Sequence, residues 1–237
     1  MSEPVRDQLP DEAPAHVSVI IPTYNVVDDG STDGTAEKVA AHRAARLINH
    51  PYNLGNGAAV KSGIRVATGD VIVLMDGDGQ HPPHEIPGLL QYIDRYDMVV
   101  GARNTESDSV WHRNWANKVF NIYASYIVGY PVPDLTSGFR AIRADVAREF
   151  VPLLPNGFSY PTTLTIACFK SGYTVKYHPF RSPARIGKSK IRPVRDGLRF
   201  LLTISRLAVL FVPLKVFLPV STVLILSGGA YTVGSLI

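Results

Sequence analysis

Apolar residues in this chain fall into short runs, set between polar links rich in glycine and proline. Residues 16–22 (His-Val-Ser-Val-Ile-Ile-Pro) predict a strand that ends at a proline. Residues 70–75 (Asp-Val-Ile-Val-Leu-Met) predict a strand buried on both faces, the pattern of a parallel sheet. Residues 98–102 predict another short strand. Helical stretches alternate with these over 36–48, 56–67 and 83–96, the last opened by prolines. This alternation predicts an α/β fold with a mostly parallel sheet flanked by helices.

One junction conflicts with that scheme. Val26-Val27 reads as the end of a second parallel strand, yet only Thr23-Tyr24-Asn25 separates it from the first. Parallel neighbours need a crossover of about a dozen residues or more. The pattern therefore predicts that a helix and most of a strand are missing between Asn25 and Val26, with a damaged ligand site if the chain is continuous there.

The two ends differ. Residues 1–15 are polar and proline-bearing, a loose tail without the apolar centre of a signal peptide. Residues 216–237 carry no charge. As a helix this stretch would cross a ~30 Å hydrocarbon core, and membrane helices tolerate Pro219, Gly228 and Gly229. Just before it, Arg192, Arg195, Arg199 and Arg206 recur near helical spacing beside Leu198, Leu201, Leu202 and Leu207. The expected organisation is a folded domain over 16–191, an amphipathic interfacial helix over 192–212 and a transmembrane segment over 213–237. A buried C-terminal helix with a solvated basic face is the alternative. The arginines ahead of the span place the folded domain in the cytoplasm.

Charge narrows the function. Lys and Arg number 24 against 20 acids, a net +4 that is too even to indicate nucleic acid. Cys168 is the single cysteine, so no intrachain disulfide forms.

The most telling chemistry is Asp76-Gly77-Asp78-Gly79-Gln80, directly after the apolar run 70–75. Open α/β sheets bind ligands at the C-terminal ends of their strands. Alternate acids there repel one another unless they surround a hard cation such as Mg²⁺ or Mn²⁺, which takes oxygen ligands and leaves positions for substrate phosphates. An acidic turn is the plain alternative. Two nucleotide motifs are excluded. Val60 stands where a P-loop needs glycine before Lys61-Ser62, and also where the third glycine of a dinucleotide fingerprint would follow Gly55-Asn56-Gly57.

With these residues in view, the chain resembles family 2 glycosyltransferases of the GT-A (Rossmann-like) fold, and within them the dolichyl- or polyprenyl-phosphate sugar synthases. Five blocks match in order: Val-Ser-Val-Ile-Ile-Pro-Thr-Tyr-Asn, Val-Val-Asp-Asp-Gly-Ser-Thr-Asp-Gly-Thr, Asp-Gly-Asp-Gly-Gln-His-Pro-Pro, Asp-Leu-Thr-Ser-Gly-Phe-Arg and Arg-Ile-Gly-Lys-Ser-Lys. The family's Glu and helix after Pro-Thr-Tyr-Asn are absent here, in agreement with the strained junction.

The resemblance implies roles. Pro22 and Tyr24 line the nucleoside pocket, and Val27 and Asp29 contact base and ribose. Asp76, Gly77 and Asp78 serve the sugar diphosphate, with Asp78 and Gln80 holding Mg²⁺ or Mn²⁺ and His81 shaping the loop. Arg103 and Arg113 border the acceptor. Asp134 stands near the reacting centre, or else caps a helix or pairs with Arg140. Arg185, Ser189 and Lys190 form a phosphate-gripping loop. The implied reaction is inverting transfer of a sugar from GDP-mannose or a UDP-hexose to a polyprenyl phosphate at the cytoplasmic membrane face, by a chain that an oligomer would accommodate. A membrane-tethered, non-catalytic nucleotide-sugar binder is the alternative. A processive polysaccharide synthase fits less well, because neither Trp111 nor Trp115 follows an arginine.

Overall fold

The computed structural model describes residues 16–21, 27–32, 34–41, 46–104, 111–157, 159–183 and 193–236. Its main sheet has the order β1 (Val17–Ile20), β4 (Val71–Leu74), β6 (Arg140–Arg143), β5 (Met98–Arg103), β7 (Val175–Phe180). Only β6 runs against the others, pairing antiparallel with both β4 and β5. The sheet is thus mixed but mostly parallel, as the alternation of runs predicts.

Strand β4 shows why the fold closes. Ile72 and Leu74 point to one face, against Ile20, Val60, Ile64, Leu164 and Ala167. Val71, Val73 and Met75 point to the other, against Leu89, Ile93, Phe139 and Phe180. The first face is covered by α2 (Asn56–Val66), α5 (Ala144–Phe150) and α6 (Tyr160–Lys170), and the second by α3 (Ile86–Leu90). Apolar positions on both faces are what an uninterrupted run encodes.

Two expectations change. The helix expected over 36–48 is α1 (Thr35–Ala40), and Ile48–Asn49 is instead strand β3, paired in parallel with β2 (Val27–Asp28). Cross-strand pairing has overridden the helical composition of that stretch. The helix expected over 83–96 shortens to a 3₁₀ turn at Pro83–Glu85 followed by α3. Beyond Leu90 the backbone slips to tighter bonds, Tyr92 N–H to Leu89 O and Ile93 N–H to Leu90 O.

The strands either side of the strained junction are not neighbours. β1 pairs with β4, while β2 and β3 form a separate two-stranded ladder. The link between them falls on residues 22–26, outside the described residues.

At the C-terminus, α7 (Pro193–Phe211) and α8 (Pro213–Leu236) match the two expected helices. Helix α7 has two apolar faces. Ile204, Leu207 and Ala208 are buried against α4 (Trp111–Val128) and α6, so Leu207 belongs to the inner face and not to the outer stripe. Leu198 and Leu202 stay outward at 60% and 49% exposure. Pro213–Thr232 of α8 is long and apolar enough to cross a membrane and is wholly unburied. Lys215 ties its first turn to the last turn of α4: Nζ donates to the carbonyls of Tyr126 (2.8 Å) and Ile127 (3.3 Å), and the Tyr126 hydroxyl donates back to Lys215 O (3.1 Å).

Candidate active site

The direction of β6 builds the site. Arg140, its first residue, lies opposite both Leu74 of β4 and Val100 of β5. The segment leading into β6 therefore passes over the C-terminal ends of those strands. Asp76 and Asp78 follow β4 there, Arg103 ends β5, and Asp134 and Gly138 arrive from above. Five residues drawn from three blocks of sequence converge on one sheet edge. Phe180 ends β7 at the same edge, opposite Arg103, and the Ser182 hydroxyl donates to the carbonyl of Gln80 (3.1 Å).

Asp134 is paired with Arg103, not with Arg140. Arg103 Nε donates to Oδ2 and Nη2 to Oδ1, each at 2.8 Å, in a two-pronged pair. The Arg103 backbone N–H adds a bond to Oδ2 (3.2 Å), and the N–H of Thr136 adds one to Oδ1 (3.2 Å). Burial pushes the Asp134 carboxyl upward, but these donors outweigh it and hold the group below the ordinary aspartate range. Arg140 is fully buried beneath, donating to the carbonyl of Pro161 (3.1 Å) and the carbonyl of Ser137.

Space around Asp76 is set by glycine. A Cβ on Gly138 would lie 2.8 Å from Asp76 Oδ2 and 3.0 Å from the Tyr160 hydroxyl. The Tyr160 hydroxyl is buried with no hydrogen-bond partner among the described residues, and burial followed by the Asp76 charge pushes its pKa up. Tyr160 is a neighbour the motifs do not announce, because nothing in the sequence ties the start of α6 to the Asp76 loop.

His81 closes the acidic loop, the role expected of it. Asp76 N–H donates to His81 Nδ1 (2.9 Å), and the ring stacks on Phe139 with centroids 5.2 Å apart. An accepting Nδ1 requires the neutral ring, and burial lowers the pKa to about 4. The unfolded ring takes its proton near pH 6.5. Folding therefore gains from His81 above that pH, and the gain fades as pH drops from 6.5 towards 4. The melting midpoint of the detergent-solubilised chain should fall over that interval, and fall less in His81→Asn, whose amide oxygen accepts the same bond without titrating. An equal fall in both proteins would remove His81 as the cause.

Asp29 sits on the second ladder, at the end of β2. Leu54 N–H donates to Oδ1 (2.9 Å) and Gly55 N–H to Oδ2 (2.8 Å). Gly55 has φ +106°, and a Cβ there would meet the Asn156 carbonyl at 2.5 Å, so the loop needs glycine. Lys61 Nζ donates to Leu154 O (3.2 Å) and to the Asn156 side chain. Residues 154–157 thus pack on the Asp29 side, while α6, which begins at Tyr160, lies beside Asp76. Val27 is fully buried at the start of β2. Pro22, Tyr24, Arg185, Ser189 and Lys190 lie outside the described residues, as does the side chain of Arg113 on the first turn of α4.

The oxygen donors fit a hard divalent cation. Asp76 and Asp78 are carboxylates at one strand end, and Gln80 adds an amide oxygen. Among the described residues no cluster of three or more His, Cys, Asp or Glu offers a closed cage. One or two carboxylates completed by substrate phosphates is the usual arrangement for Mg²⁺ and Mn²⁺ at such sites.

Residues 26–151 match the family profile of glycosyl transferase family 2. The chain belongs to that family. It is 32% identical over 190 residues to undecaprenyl-phosphate 4-deoxy-4-formamido-L-arabinose transferase of Pseudomonas savastanoi pv. phaseolicola, covering 62% of this chain and 56% of that protein. The chain thus spans about half the length of that group of relatives. It is 30% identical over 230 residues to polyprenol monophosphomannose synthase of Mycolicibacterium smegmatis, covering 78% of this chain and 87% of that one. In fold it superposes on glucosyl-3-phosphoglycerate synthase of Mycobacterium tuberculosis with a TM-score of 0.63 at 18% identity, over 82% of this chain and 80% of that one. That crystal structure holds Mn²⁺, UDP-glucose and phosphoglyceric acid. The fold is therefore GT-A, and three of the five sequence blocks, 26–35, 76–83 and 134–140, lie within the family 2 profile match.

Proposed function

We propose that this chain transfers a sugar from a nucleotide donor, GDP-mannose or a UDP-hexose, to a polyprenyl phosphate at the cytoplasmic face of a membrane. The observation that carries the reading is the convergence of Asp76, Asp78, Arg103 and Asp134 at one sheet edge in a chain that also bears an exposed apolar helix of membrane-spanning length. The names of the two relatives, both polyprenyl-linked sugar transferases, support the acceptor class.

The chemistry follows from charge. An acceptor phosphate monoester has a second pKa of about 6, so it is already a nucleophile at neutral pH. A strong base is not required. Direct attack at the anomeric carbon expels the nucleoside diphosphate and inverts the centre. Mg²⁺ or Mn²⁺ held by Asp76, Asp78 and Gln80 would neutralise charge on the diphosphate. Asp134 is saturated by donors, which makes it the holder of Arg103 rather than a base. Arg103, with Arg113, Arg185 and Lys190 expected alongside, counters the charge of the incoming phosphate. The Ser182–Gln80 bond ties the chain just after β7 to the loop that carries Asp76 and Asp78.

The test is sugar transfer from radiolabelled GDP-mannose, UDP-glucose and UDP-N-acetylglucosamine into lipid extract, by membranes containing the chain, with Mn²⁺ or with chelator. Chelator-sensitive transfer from one donor is expected. A second reading, a tethered nucleotide-sugar binder without transfer, is favoured by the separation of the β2–β3 ladder from β1. Nucleotide binding with no transfer would select the second reading.

A further inference from the structure

We infer that His50 and Ser62 form a relay that positions Asp29 for the nucleoside, making His50 a positioning residue for donor affinity. The inference rests on the reading of Asp29 as a nucleoside contact. His50 Nδ1 lies 2.7 Å from Asp29 Oδ1, and His50 Nε2 lies 2.9 Å from Ser62 Oγ. An ionised carboxylate only accepts, so Nδ1 carries the proton and donates. In the neutral ring Nε2 then accepts from the Ser62 hydroxyl, so Asp29 selects the tautomer and Ser62 holds the far edge of the ring. The backbone anchors the same residue, because His50 N–H donates to Asp28 O at 2.8 Å.

The consequence for Asp29 is a matter of lone pairs. Oδ1 takes His50 Nδ1–H and Leu54 N–H, which fills it. Oδ2 takes Gly55 N–H and keeps one acceptor site. A carboxylate that is only 6% exposed is thereby left with a single acceptor position, suited to one hydroxyl or base N–H. Without His50, two backbone donors remain and the carboxylate can rotate about its Cβ–Cγ bond. The Ser–His–Asp order is that of a hydrolase triad, but Ser62 lies inside α2, where backbone N–H groups are committed to helical carbonyls and no oxyanion donors face it. The relay orients and does not attack.

The experiment measures UDP and GDP binding to the full chain in detergent with Mn²⁺, together with donor KM and kcat. His50→Phe should raise the dissociation constant of the nucleotide that binds, and the donor KM, by about tenfold, leaving kcat at saturating donor within about twofold. His50→Asn, whose amide nitrogen stands where Nδ1 stood, should recover most of that loss. Ser62→Ala, which keeps the ring but frees it, should give about threefold, and it carries the test if His50→Phe does not fold. Unchanged binding in His50→Phe, or a fall in kcat with KM unmoved, overturns the relay while leaving the proposed transferase intact. Wild-type chain that binds neither nucleotide overturns the transferase reading, and the relay with it.

Discussion

Asp78→Asn is expected to cut metal-dependent sugar transfer by about 10³-fold, the scale of removing one preorganised charge from a reacting centre. Asp76→Asn should behave similarly. Neither change should unfold the chain. Asp76 and Asp78 sit two apart at one strand end, so neutralising either relieves repulsion between like charges. The diagnostic pairing is therefore lost transfer with an unmoved or slightly raised melting midpoint. The measurement is radiolabel incorporation into lipid beside a thermal scan of the same preparation. Retention of a tenth or more of wild-type transfer in Asp78→Asn would falsify the metal assignment.

Breaking the Arg103–Asp134 pair should do the opposite and cost stability first. Both side chains are substantially covered, at 27% and 9% exposure, and Asp134 takes bonds from five donor atoms of Arg103 and Thr136. Asp134→Leu leaves the Arg103 guanidinium under cover with only the Thr136 hydroxyl to accept from it. Removing one partner of such a pair costs on the order of 3 kcal/mol, or roughly 10 °C in the melting midpoint of a domain this size. The double variant Arg103→Met, Asp134→Leu should recover much of the loss, because two apolar side chains can replace a covered pair at little net cost. Transfer should be lost in Asp134→Leu, in Arg103→Met alone and in the double variant, since Arg103 is either absent or no longer held at the site. A double variant as unstable as the sum of the singles would show that the two residues act independently.

The sequence made parts of this site legible for identifiable reasons. The acidic loop announces itself because an uninterrupted apolar run fixes β4, and a strand end is a defined place. The pairing of Asp134 with Arg103 was hidden, since it depends on β6 running antiparallel, and four short residues give no sign of direction. With Arg140 adjacent in the same block, the nearest arginine in sequence was the natural candidate, and register assigned the distant one instead. His50 was missed for a different reason: a lone histidine before a proline carries no periodicity, and its partners are 21 and 12 residues away. The stretch over 36–48 misled because a two-residue strand is too short for any alternation to register. At the C-terminus, composition located both helices, but not that Leu207 turns inward, since a helix with two apolar faces looks the same along the chain as one with a broad stripe.

The tie between Lys215 and the end of α4 bears on how the proposed enzyme would meet its acceptor. Helix α8 is joined to the rest of the chain twice, covalently through α7 and by bonds in both directions with Tyr126. An attachment at two points resists swivelling. In the proposed membrane-bound transferase, the height of the sheet edge above the lipid, and its tilt, would follow the angle at which α8 leaves the domain. A phosphate on a long lipid would then rise to that height out of the bilayer. Reach would belong to the substrate, and the protein would set the altitude.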